Sequence, residues 1–148
     1  MEDMENSMRG IFKCLTVLLL FMALSSTLVG QAQTIRNNSN SYIGKIESDG
    51  TVRNSSNSYV GKIESDGEIR DSSNRLIGTI SSNGDVRNSS NSYIGKIESD
   101  GTVRNRNNSY LGKIEKDGTV RNSSNSVIGY AKDVPMRYAA LYFFFNFF

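Results

Sequence analysis

From residue 34 to about residue 131, apolar side chains return at one fixed phase. Every 17 residues the chain repeats x-[VI]-R-[ND]-x-x-N-x-x-[IVL]-G-x-I-x-x-[DN]-G, with units starting at Thr34, Thr51, Glu68, Asp85 and Thr102. In these units position 2 is always Val or Ile, position 10 Ile, Val or Leu, and position 13 Ile. A partial sixth unit starts at Thr119 and lacks the closing glycine, with Asp133-Val134 in that turn. Two turn signals divide each unit. "SDG", with "SNG" and "KDG", tolerates positive φ at its glycine. In "NSSN" the first Asn or Asp can bond its own backbone two residues on, and the last Asn can take the left-handed conformation. Between them lie β-friendly pieces such as "TVR" and "YVGKIE", of ordinary strand length. The pattern therefore predicts a strand pair per unit and a β-meander with a turn every eight or nine residues. Helix is disfavoured by the recurring Gly, Asn and Ser. Disorder would suit the polar "NSSNS" stretches but gives no reason for apolar residues to keep phase.

One unit offers too few apolar side chains to offset its chain entropy, so the units must share a core. A linear array leaves two open edges, which ring closure removes. The expected architecture is an all-β closed toroid, a propeller-like ring of five 17-residue hairpin repeats with pseudo-fivefold symmetry. In it the sixth-unit remnant, residues 119–133, completes the blade begun at Thr34. A β-solenoid with one unit per coil is the alternative.

The flanks differ from the repeats. Residues 1–32 read as a signal peptide: Arg9 and Lys13 precede the apolar "CLTVLLLFMAL" of residues 14–24, and cleavage is expected after Ala32. The acidic start makes Met8 an alternative initiator, and a retained anchor helix is the alternative to cleavage. Cys14 precedes the apolar run, unlike a lipidated cysteine; without this segment the chain has no cysteine and so no disulfide. The repeat domain is placed at 33–133 and an apolar tail at 134–148. That tail, with "MRYAALYFFFNFF" at residues 136–148, has seven aromatic residues in its last eleven positions. Three roles suit it. It can pack in the mouth or axis of the ring, with Tyr138, Leu141, Tyr142 and Phe145 at helical spacing. It can lie in a membrane interface, although 13 residues are too few to span one as a helix. It can be an outer-membrane sorting signal, which lacks support from strands of nine to eleven residues.

The units "TVRNSSNSYVGKIESDG" and "EIRDSSNRLIGTISSNG" resemble the repeats of five-fold β-flower proteins, over roughly residues 34–131. The resemblance implies a five-part β-rich ring, an exported location and an origin in the Bacteroidetes. It implies no activity and no catalytic residues.

The residues themselves carry no unique catalytic constellation. A net charge of +2 gives no electrostatic case for nucleic acid. There is no histidine, so serine has no base and zinc lacks its preferred ligands; no cofactor or metal is expected. Calcium needs more oxygens than one "ESDG" turn supplies. Lys45, Lys62, Lys96 and Lys113 share a face with Glu47, Glu64, Glu98 and Glu115, as residues two apart on a strand do. They are expected to form a solvated ring of weak ion pairs. Tyr42, Tyr59, Tyr93 and Tyr110 occupy one repeat position and form the candidate ligand surface, as stacking faces for a glycan. The leading expectation is a non-enzymatic exported protein of the periplasm or cell surface, with a structural or interaction role. A lectin-like multivalent module and an envelope protein contacting membrane through residues 136–148 are the alternatives. The expected partner is a cell-envelope component or glycan of unknown identity.

Overall fold

The computed structural model describes residues 33–148. The expectations for the leader, its cleavage after Ala32 and Cys14 lie outside the described residues. Each unit forms a short strand, an Asn turn and a second strand. The strands are β1 (Thr34–Asn37), β2 (Tyr42–Ile46), β3 (Thr51–Asn54), β4 (Tyr59–Ile63), β5 (Glu68–Asp71) and β6 (Leu76–Ile80). They continue as β7 (Asp85–Asn88), β8 (Tyr93–Ile97), β9 (Thr102–Asn105), β10 (Tyr110–Ile114), β11 (Thr119–Asn122) and β12 (Val127–Tyr130). A helix, α1 (Met136–Phe144), follows.

Each strand pairs antiparallel with its sequence neighbours, and β12 returns to β1 through Arg36↔Tyr130 and Asn37↔Gly129. The sheet is a closed barrel and has no free edge. Consecutive antiparallel pairing replaces the solenoid alternative. Two further expectations are corrected. The twelve strands form six hairpins, not a pseudo-fivefold ring. The sixth unit is also no remnant merged into the first blade: β11 and β12 pair with each other as a complete hairpin. Losing the final glycine costs that unit nothing within the sheet, because its last turn leads to α1 and not to another strand.

Both turns use the same backbone solution, a three-residue loop whose last residue is left-handed. In the first hairpin Asn40 N–H donates to Asn37 O and Asn37 N–H to Ser41 O. At the other end Gly50 N–H donates to Glu47 O and Glu47 N–H to Thr51 O. The left-handed residue is Asn40 (φ 61°) in one case and Gly50 (φ 86°) in the other. Space explains the choice. Asn40 faces solvent, and Asn37 Oδ1 secures its turn by accepting from Ser39 N–H and Ser41 N–H. A Cβ on Gly50 would instead run into the Ile63 carbonyl oxygen of the next hairpin.

Positions 2 and 13 point into the barrel. Ile35, Ile46, Val52, Ile63, Ile69 and their equivalents are buried around the whole circuit, and Ala131 takes the last of these places. Position 10 joins them through a bulge: Val52 pairs with Gly61 and Arg53 with Tyr59, so Val60 is skipped and packs against the core. A barrel of this strand number is wider than wall side chains can fill, since about eight strands is where they just suffice. The unrepeated tail fills the remainder, and Ala139, Ala140 and Leu141 are fully buried.

Candidate functional site

The tail enters the barrel at the Asp-Gly end. Pro135 precedes α1 at the N-cap position, and its carbonyl accepts from the N–H groups of Tyr138 and Ala139. The Arg137 guanidinium donates to the carbonyls of Ser81 (3.2 Å) and Ser82. The Met136 sulfur lies against Gly101. At the far end of the helix the Tyr142 hydroxyl reaches the Ile43 carbonyl at 3.5 Å, just past the first Asn turn. The helix therefore runs from the Asp-Gly end toward the Asn-turn end, and there its aromatic residues fan out.

Each of them seats on one mid-unit glycine. Tyr142 faces Gly44, Phe143 Gly129, Phe144 Gly112, Phe145 Gly95, Phe147 Gly78 and Phe148 Gly61. A Cβ on Gly112 would stand 2.7 Å from the Phe144 ring and would collide with the Arg121 carbonyl of the neighbouring strand. The glycine thus permits both close strand pairing and an aromatic knob. The seats are taken in circular order: β2, β12, β10, β8, β6 and β4 succeed one another around the barrel as the tail runs from residue 142 to 148. Asn146, the one non-aromatic residue in this run, is exposed and left-handed (φ 49°). The knobs touch as well, with Tyr142 and Phe143 edge to face at 5.5 Å and Phe145 and Phe147 stacked at 6.5 Å.

This architecture, twelve strands from one repeated unit closed around an aromatic tail, coincides with a family assignment. The family model described as 5-fold beta-flower protein matches residues 32–147. The chain belongs to the 5-fold beta-flower family. No curated protein and no solved structure matches it.

The Asn-turn mouth of this β-flower is its most unusual surface. The aromatic knobs from Tyr142 to Phe148 are only half-buried, as are the position-10 residues Ile43, Val60, Ile77, Ile94, Leu111 and Ile128. Together they make an apolar disc. Tyr42, Tyr59, Tyr93 and Tyr110 each open the strand that leaves an Asn turn, 36–41% exposed. The structure thus gathers the four sequence-predicted residues on one rim, with Leu76 in the equivalent place on the third hairpin. Burial raises the Tyr142 phenol above its ordinary pKa, and Tyr42 adds to the shift. The sequence pattern singled out the tyrosines but not the knobs and seats. The signal available was numerical: six mid-unit glycines and, after residue 141, six aromatics.

Arginines surround the disc. Position 3 places Arg36, Arg53, Arg70, Arg87, Arg104 and Arg121 beside the turns. Each donates from Nη1 to the carbonyl of its turn's left-handed Asn, at 2.9–3.3 Å. Arg53 lies cross-strand from Tyr59 and Arg36 from Tyr42. The turns add Arg75 and Arg106, and their sole acidic residue, Asp71, is paired with Arg75 at 2.7 Å.

The expected Lys–Glu ring on the outer wall holds in part. Lys45–Glu47 and Lys62–Glu64 pair at 2.9 Å, whereas Lys96 turns to Asp85 and Lys113 to Asp100. Glu98 and Glu115 bind Arg104 and Arg121 instead. The register explains this: Lys45 stands directly opposite Arg53, a repulsive placement unless an acid lies between, and Glu47 bonds both. Those bonds lower the Glu47 pKa, and the Lys113 ammonium holds the Asp100 carboxyl well below the carboxylate range. Among the described residues no cluster of His, Cys, Asp and Glu is arranged to hold a metal ion.

Proposed function

We propose that this β-flower is a non-enzymatic interaction module of the periplasm or cell surface, and that the Asn-turn mouth is its working face. One observation carries the reading: at this end six of the tail's seven aromatics stay half exposed and continue into a disc with the position-10 residues. At the opposite end the tail's half-buried apolar side chains are Met136 and Tyr138, while the inward wall positions 2 and 13 are buried around the circuit. Contiguous apolar surface rimmed by polar groups marks interaction sites. The wall charges are engaged with one another or with turns, as a scaffold requires. The apolar run before Ala32 supports export.

Fractionation of cells producing the chain tests this. Leu111→Gln and Ile94→Gln in the mouth are expected to move protein from the envelope to the soluble fraction. Lys116→Gln and Lys132→Gln at the opposite end are not. Matching thermal unfolding curves would establish that all four variants fold. An equal response at both ends sinks the reading.

A lectin-like role is the second reading, favoured by the four equivalent rim tyrosines that each face an arginine across the strands. It requires multivalent glycan binding that is lost on Tyr→Ala at residues 42, 59, 93 and 110.

A further inference from the structure

The mouth combines two features that call for one kind of partner. Its centre is apolar and aromatic, and its rim carries guanidinium groups fixed by their turn carbonyls. Aromatic side chains favour the bilayer interface, and arginines favour anionic headgroups. We infer that the Asn-turn mouth docks on the surface of an anionic lipid bilayer, with the aromatic disc at headgroup level and the guanidinium rim on lipid phosphates. The inference rests on the mouth being the working face.

Geometry limits the contact to docking. No helix among the described residues is long and apolar enough to cross a membrane. The strands, at four or five residues, are half the length that a spanning barrel needs. Charge argues against the competing occupant, a second copy set mouth to mouth. That arrangement would oppose two arginine rims whose turns hold only Asp71 as an acid. Arg53, Arg70, Arg104 and Arg121 each bond a glutamate, but the Arg36, Arg87 and Arg106 side chains bond no acid among the described residues. In the third hairpin the glutamate position is Ser81, which leaves Arg87 to the turn alone. Those three arginines are where headgroup phosphates would gain most.

The chain has no tryptophan, so one introduced residue reports position. Tyr59→Trp marks the rim and Lys116→Trp the opposite end, both in the full chain, so any contribution of residues 1–32 is common to both. With vesicles of phosphatidylglycerol and phosphatidylcholine, the Tyr59→Trp emission is expected to shift to the blue and to be quenched by brominated acyl chains. Lys116→Trp is expected to stay unchanged. Binding should weaken about fivefold for Arg106→Gln and about fivefold again on adding Arg87→Gln. It should also weaken as salt rises.

Equal binding to pure phosphatidylcholine overturns the inference, as does a response from Lys116→Trp in place of Tyr59→Trp. A lipid-free blue shift that grows with protein concentration, with a dimer in sedimentation, replaces the bilayer with a second copy. Displacement of Tyr59→Trp protein from vesicles by soluble polygalacturonate, with tighter binding to that polymer, assigns the rim to an acidic glycan. If vesicles leave Tyr59→Trp unmoved while Leu111→Gln still releases the protein from the envelope, the bilayer inference alone falls. If neither responds, the working face is misassigned as well.

Discussion

The wall and the tail solve opposite problems. The wall is cheap in information: a few instructions, repeated, specify strand, turn, strand and turn. Its stability is shared, and any one Ile or Val has equivalents around the circuit. The tail is used once. Ala139, Ala140 and Leu141 fill an axis that no wall residue reaches, and each of the next aromatics addresses a different hairpin. Repetition makes a surface and uniqueness closes it. Damage should therefore be graded in the wall and abrupt in the tail.

Removing residues 136–148 is the severest test of that contrast. The barrel would then enclose an unfilled apolar space, and cooperative unfolding is expected to disappear, as read by circular dichroism and hydrogen exchange. A truncated chain that still melts sharply would show that the wall closes without a filling. Next in size is a single knob. Phe145→Ala should cost about 2–3 kcal/mol in urea unfolding, below the range for fully buried phenylalanines because the ring is half exposed. Gly95→Ala attacks the same seat from the wall side, where its Cβ would meet the Phe145 ring at 2.8 Å. Because knob and seat share one contact, the double variant should be less destabilised than the sum of the singles.

The two turns give a smaller, internal comparison. Asn57→Gly should change stability by no more than about 0.5 kcal/mol, since the left-handed residue sits in open solvent. Gly67→Asn should cost more than about 2 kcal/mol, since its Cβ would strike the Ile80 carbonyl. Equal costs would mean that conformation, and not space, chose the residue.

The smallest effect is electrostatic. Glu47, Asp49 and Asp100 have lowered pKa values, held down chiefly by Lys45, by the Thr51 backbone N–H and by Lys113 respectively. A lowered native pKa means that the unfolded chain takes up protons first as pH falls. Stability should therefore be level from pH 7 down to about 5 and decline below about 4, where model carboxylates titrate. These groups lie at the surface, so the decline should be shallow. Added salt should weaken the Lys45 and Lys113 pairs and leave the Asp49–Thr51 turn bond unaffected.

The same division decides what could be read from the sequence. The phase of Val52, Val60 and Ile63 gave the strands, and "SDG" and "NSSN" gave turns that the structure reproduces down to the Asn37 side-chain bonds. These are local consequences of local words. The hairpin number was misjudged because residues 119–133 lack a final glycine, but that glycine serves the link to a next hairpin and is not needed within one. The tail's destination was illegible from its own residues, since almost every position from 138 to 148 is apolar and a helical phase carries little information there. Its partners are glycines, which leave no hydrophobic signature to match. Divergence in the wall was a further clue: the third hairpin has Thr79 and Ser81 where four others have Lys and Glu, and its Ser81 carbonyl is where Arg137 lands. Similarly Ala131 stands in place of Ile where the chain turns toward the helix.

The circular order of the seats has a consequence for inheritance. Near-identical tandem segments are prone to gain or lose whole copies when the gene is replicated. In most repeat proteins such a change merely lengthens or shortens the array. Here an added copy would bring a seventh glycine with no ring to meet it, and a lost copy would leave one ring without a seat. Residues 142–148 therefore act as a tally kept against the repeats, and they make copy number a quantity on which selection can act directly.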